Sequence, residues 1–179
     1  MKIHILGPSC SGTTTLGRSL SKNLNIPWFD SDDIFWVKTD PPFTQKREMD
    51  ERIGLLKDIF EKNDSLVLSG SALKWADCIK DSLDLVIYKY VKQEIRINRL
   101  LAREEQRYGD RIKPGNDMYE IHKDFIEWNK KYETGGLEMR SRKSELEWIK
   151  DIKCKIIMLE ENRSMEEELK IVLEIIKEL

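Results

Sequence analysis

Short unbroken apolar runs alternate along this chain with longer stretches whose apolar residues recur every three or four positions, a pattern of buried strands separated by amphipathic helices. Residues 2–6 (KIHIL) predict a first strand, 7–12 a turn, and 13–24 a helix with Leu16, Leu20 and Leu24 on one face. A second strand is expected at 27–29, closed by the acidic turn of Asp30, Ser31, Asp32 and Asp33. Pro41 and Pro42 then forbid regular structure until a helix over about 46–62. Strands at 65–68 and 83–88 follow, the first closed by Ser69, Gly70 and Ser71, and after the second comes a charged helix over about 92–107. Two glycines and a proline make 108–116 a loop. Met118, Ile121, Phe125, Trp128 and Tyr132 mark the next helix, which Thr134, Gly135 and Gly136 end. Another helix reaches about residue 150, and a fifth strand takes 155–159. Ser164 and Glu167 form a capping box before a last helix over 165–179.

This alternation predicts an α/β fold in three layers: a five-stranded parallel sheet with helices on both faces, and a ligand edge at the carboxyl ends of the strands. No repeat, low-complexity tract or linker divides the 179 residues, so a single domain over 1–179 is expected. The 31 Lys and Arg nearly balance the 33 Asp and Glu, leaving a formal charge of -2. Such a chain has no general attraction for nucleic acid or an acidic membrane, and any anion must be caught locally. Cys10, Cys78 and Cys154 are odd in number, scattered and without CxxC spacing, which argues against a disulfide framework or a zinc site. The first apolar run is too short for a signal peptide or spanning helix, so a soluble cytoplasmic protein is the expectation, monomer or homodimer.

The turn after the first strand reads GPSCSGTT at residues 7–14, matching GxxxxGK[ST] at both glycines and at Thr14, with Thr13 where lysine is expected. Gly7 and Gly12 let the backbone turn successive N–H groups inward, and the following helix adds the positive end of its dipole, so a bound phosphate is stabilised. A turn that merely joins strand to helix is the alternative. Its position in the first strand–helix unit favours phosphate. Gly7, Ser9, Cys10, Ser11, Gly12, Thr13, Thr14 and Thr15 are therefore the candidate nucleotide-binding residues, with the Thr14 hydroxyl directed at Mg²⁺. Without the lysine, transfer chemistry needs charge from elsewhere.

Arg96, Arg99, Arg103 and Arg107 recur at three- and four-residue spacing as a basic stripe, continued by Arg111 and Lys113, and Arg140 and Arg142 form a second cluster. Singly, each is expected to be a solvated partner of acids such as Glu94, Glu104 and Glu105. Together they offer guanidinium groups to a moving phosphoryl group. In the acidic turn, one of Asp30 and Asp32 is placed to hold a metal-bound water and the other to accept the proton of an attacking hydroxyl, while Asp33 suits a helix N-cap. Trp28, Phe35 and Trp36 flank the turn and could stack on a flat acceptor. His4 and His122 read as structural.

These residues resemble the adenylate kinase and shikimate kinase branch of P-loop kinases, and within it a set of bacterial adenylate-kinase-like proteins. The resemblance rests on the loop at 7–15, TDPPFT at 39–44, SGS at 69–71 and YETGGLEMRSR at 132–142, and spans nearly the whole chain. Threonine in place of the loop lysine is a habit of that set. Likeness to shikimate kinase at 29–32 implies that Asp30 lies near the metal and Asp32 near the acceptor hydroxyl. Likeness to adenylate kinase implies that Arg99 and Arg103 touch the donor nucleotide from the start of a lid, and a lid region at about 104–142, bearing Arg140 and Arg142 as well, is expected to close over the site. Acceptor binding is assigned to Asp30, Asp32, Trp36, Gly70 and Lys74, although SGS stands where shikimate kinases have three glycines and Lys74 falls one position late for the adenylate kinase arginine. The resemblance implies transfer from ATP with Mg²⁺ to a nucleotide, nucleoside or similar small hydroxyl compound. The rival expectation is a nucleotide-binding regulatory module with weak NTPase activity.

Overall fold

The computed structural model of the protein describes residues 1–160 and 163–179. Five parallel strands, β1 (Lys2–Leu6), β2 (Trp28–Asp30), β3 (Leu66–Ser69), β4 (Leu85–Lys89) and β5 (Lys155–Leu159), form one sheet in the order β2-β3-β1-β4-β5. β1, β3 and β4 read as continuous apolar runs because both faces of the sheet are covered. The strand period of two separates their side chains into two cores. Ile3, Ile5, Val67, Leu85 and Ile87 face α1 (Thr13–Leu24) and α7 (Met165–Ile176), where Leu16, Leu20 and Val172 meet them. Leu6, Leu66, Leu68, Val86 and Tyr88 face the other way, toward Leu56 and Phe60 of α3 (Met49–Lys62) and Trp148 of α6 (Arg142–Lys150). Burying each such side chain contributes about 1.5–3 kcal/mol, which makes the central sheet the rigid platform of the molecule.

His4 follows that alternation into the α6 core. It is buried, its Nδ1–H donates to the Leu68 carbonyl at 3.2 Å, and its ring meets Trp148 edge-on at 5.6 Å. Since the carbonyl only accepts, the tautomer is fixed, and burial lowers the imidazole to about 4. The three cysteines are free. Ser164 and Glu167 make both halves of the expected capping box on α7.

Several boundaries differ from the sequence reading, each for a local reason. The second strand runs one residue further than expected, so that Asp30 is its last member, paired with Ser69. The supposed acidic turn is a short helix, α2 (Ser31–Phe35), and its N-cap is Asp30 rather than Asp33: the Asp30 carboxylate accepts from the Asp32 N–H at 3.1 Å. The helix expected from residue 46 starts at Met49, because Lys46 is drawn into an antiparallel bridge with Trp36. Residues 77–82 make a 3₁₀ helix that delays β4 to Leu85. Beyond β4, α4 (Gln93–Tyr108) leads through a 3₁₀ turn at Gly109–Ile112 to α5 (Tyr119–Lys130). Among the described residues no helix is long and apolar enough to cross a membrane.

Candidate nucleotide site

The loop from Gly7 to Gly12 leaves β1 at the carboxyl edge of the sheet and feeds directly into α1. Gly7 has φ 153°, and a Cβ there would run into the Lys89 carbonyl at the end of β4. Gly12, at φ 96°, takes a left-handed backbone that favours glycine, and its carbonyl accepts the first bond of α1 from the Leu16 N–H. Among the described residues no side chain caps this helix. Its first-turn N–H groups are therefore open toward the cleft, adding to the dipole a set of unused donors. The Ser11 hydroxyl is fully buried and has no hydrogen-bond partner among the described residues. An uncapped helix start, a buried orphan hydroxyl and a glycine loop fit a polyphosphate, which would satisfy all three at once.

Thr14 donates its hydroxyl to Asp30 at 3.2 Å, joining the start of α1 to the end of β2. Burial raises the Asp30 carboxyl above its ordinary value, while the Asp32 N–H and the Thr14 hydroxyl pull it back. A carboxylate so placed has its charge only partly compensated and suits a cation. Thr14 and Asp30 are the pair that would hold Mg²⁺, as hard oxygen donors suited to that cation.

Loop, acids and arginines meet in one cleft of about 780 Å³. Of the residues singled out in the sequence, Cys10, Ser11, Gly12, Thr13, Thr14, Thr15, Trp28, Asp30, Asp32, Asp33, Arg99, Arg103 and Arg107 line it. Cys10 takes a left-handed φ of 62° in the loop, and burial pushes its thiol up against the pull of Arg103. Arg99, Arg103 and Arg107 approach from one face of α4.

Gly7, Ser9, Trp36, Gly70, Lys74, Arg140 and Arg142 are absent from that lining. Gly70, at φ 100°, lies beneath the acidic helix, where a Cβ would strike the Ser31 hydroxyl and come 3.3 Å from an Asp30 oxygen. Trp36 packs edge-on to Phe35 and Phe43, and it is Phe43 that reaches the cleft. Lys74 donates to the Glu138 carbonyl at 2.8 Å. Arg140 braces the loop from behind: it donates to the Gly7 carbonyl and, at 3.0 Å, to the buried Glu145, which also accepts from the Tyr132 hydroxyl. Arg142 stacks on Tyr90 and pairs with Glu160 at 2.7 Å. Arg96 leaves the basic stripe altogether, being 1% exposed, bonded to the Val91 carbonyl and Glu133 and lying over the Tyr132 ring.

Sequence reasoning passed over Arg18, Lys89 and Glu168, which also line the cleft. Arg18 lies 4.5 Å over the Trp28 ring, and that indole donates to the Ser69 hydroxyl. Lys89 and Glu168 form a buried ion pair, 4% and 2% exposed, between β4 and α7. The available signal was a lysine closing the otherwise apolar strand LVIYK.

Sheet order, glycine loop and cleft together define a P-loop kinase fold. The chain belongs to the AAA domain family (AAA_18), whose model matches residues 3–123. It is 41% identical over 165 residues to the uncharacterized protein YqaC of Bacillus subtilis (strain 168), covering 92% of this chain and 91% of that one. It is 30% identical over 115 residues to a cytidylate kinase of Archaeoglobus fulgidus, covering 58% of this chain and 62% of that one. The fold is that of shikimate kinase from Bacteroides thetaiotaomicron, with TM-score 0.60, 17% identity and coverage of 99% and 98%.

Proposed function

We propose that this protein transfers the γ-phosphoryl group of ATP to a hydroxyl of a small acceptor, a nucleotide, nucleoside or similar compound. The observation that carries this reading is the convergence of the glycine loop, the Thr14–Asp30 pair and Arg99 and Arg103 on one cleft. Relatedness to a cytidylate kinase and a shared fold with a shikimate kinase support it. Main-chain N–H groups of the loop and the Thr15 hydroxyl hold the phosphates. Thr14 and Asp30 hold Mg²⁺, which when bound neutralises charge building on the β and γ oxygens. Asp32, at the start of α2 and exposed beside Asp30, accepts the proton of the acceptor hydroxyl as its oxygen bonds to phosphorus and the bond to the β-phosphate oxygen breaks. Arg99 and Arg103 stabilise the charge on the transferring group from α4.

Incubation of the purified protein with γ-labelled ATP, Mg²⁺ and panels of nucleosides, nucleoside monophosphates and other hydroxyl compounds tests this. Label should pass to members of one panel. Hydrolysis to free phosphate with no acceptor labelled would support the regulatory module instead, a reading favoured by Thr13 standing where the loop lysine is expected.

A further inference from the structure

Thr13 leaves the loop without an ammonium group, yet a lysine lies against it from another direction. In β4 the strand alternation puts Leu85, Ile87 and Lys89 on the face toward α1 and α7. The first two enter the core. Lys89 is at the carboxyl edge, one residue past Tyr88, whose parallel partner Leu6 immediately precedes Gly7. Its backbone carbonyl lies against Gly7, and its Cε lies 3.1 Å from where a Cβ would stand on Gly12. One residue thus reaches the loop at both glycines, through its carbonyl at Gly7 and its side chain at Gly12, the residue before Thr13.

The ammonium is bonded to Glu168 of α7. Burying such a pair removes two charges from water, and an apolar pair of similar volume joins two elements as well or better, so packing of β4 on α7 does not account for it. Both side chains also line the cleft, which places the charge where an anion on the loop would feel it. With no Cβ on Gly12, the stem of Lys89 lies directly against the loop. We infer that Lys89 supplies from β4 the positive charge that the loop lacks at position 13, with Glu168 as its counter-ion until a polyphosphate arrives.

This rests on the loop taking a polyphosphate, and the test separates the two ideas. Binding of Mg·ATP and of adenosine is measured by calorimetry for the natural protein, for Lys89→Met/Glu168→Leu, and for that pair combined with Thr13→Lys. The paired variant should melt at or above the natural temperature. It should bind Mg·ATP about tenfold more weakly, the effect of one charge-assisted contact. Adenosine binding should be unchanged, and adding Thr13→Lys should restore Mg·ATP affinity. Lys89→Gln/Glu168→Gln, close in shape and able to hydrogen-bond, carries the same expectation and keeps the test open if the apolar pair does not fold. Natural affinity in a folded paired variant, or a loss that Thr13→Lys does not relieve, overturns the role of Lys89 alone. No binding of Mg·ATP by the natural protein overturns this and the proposed function together.

Discussion

The arginines of this molecule fall into two groups that look alike in sequence and differ in structure. Arg99, Arg103 and Arg107 line the cleft from α4, where the carboxylate beside Arg103 is Glu104 of the same helix, 3.6 Å away. Arg96, Arg140 and Arg142 are anchored, each bonded to a carboxylate and lying on a tyrosine ring or, for Arg140, on the loop's own backbone. The first group has charge to offer a ligand. In the second that charge already holds elements together. Spacing along a helix reports which side chains share a face; burial decides which of them are free to act.

The largest effect should come from the anchored group. Arg140→Ala leaves Glu145, which is fully buried, without its cation, and unfolding free energy should fall by about 4 kcal/mol. Denaturant titration measures it, and a loss within experimental error would dissolve the distinction between the groups. Next in size is a pH effect on the same side of the sheet, where His4 packs against α6. Its folded value of about 4 lies below the ordinary 6.5, so the unfolded chain takes up the proton first as pH drops. Stability should be full above 6.5, decline through the window down to about 4, and be lower by roughly 3 kcal/mol below it. His4→Gln should flatten that decline in acid-denaturation curves; an unchanged slope would assign it elsewhere. The smallest energy belongs to the cleft group. Arg99→Ala, at an exposed position of the cleft face, should leave stability within about 0.5 kcal/mol while slowing transfer about 100-fold, seen in kcat at saturating ATP. A large drop in melting temperature would move Arg99 to the anchored class.

The sheet was legible because buried parallel strands need unbroken apolar runs, and 2–6, 65–68 and 155–159 supply them with little ambiguity. The loop was legible from the spacing of Gly7, Gly12 and Thr14. α2 was hidden because Asp30 both closes a strand and caps a helix, two jobs that a string of polar residues does not reveal. Lys89 was hidden because a lysine after four apolar residues reads as a strand emerging into water. Glu168 was masked by Glu166 and Glu167, three acids that all suit the first turn of a helix; only the rotation of α7 against β4 selects the third for burial. Tertiary placement, rather than local pattern, set each of these.

The bond from Arg140 to the Gly7 carbonyl joins residues 133 apart in the chain. During synthesis the glycine segment leaves the ribosome long before its brace exists, and β4, whose last carbonyl it rests on, also comes later. A nascent chain therefore has the motif without its final shape. Competence to grip a ligand arrives with the last third of the polypeptide, and a fragment ending at the family boundary of residue 123 would have the recognisable letters but not the finished grip.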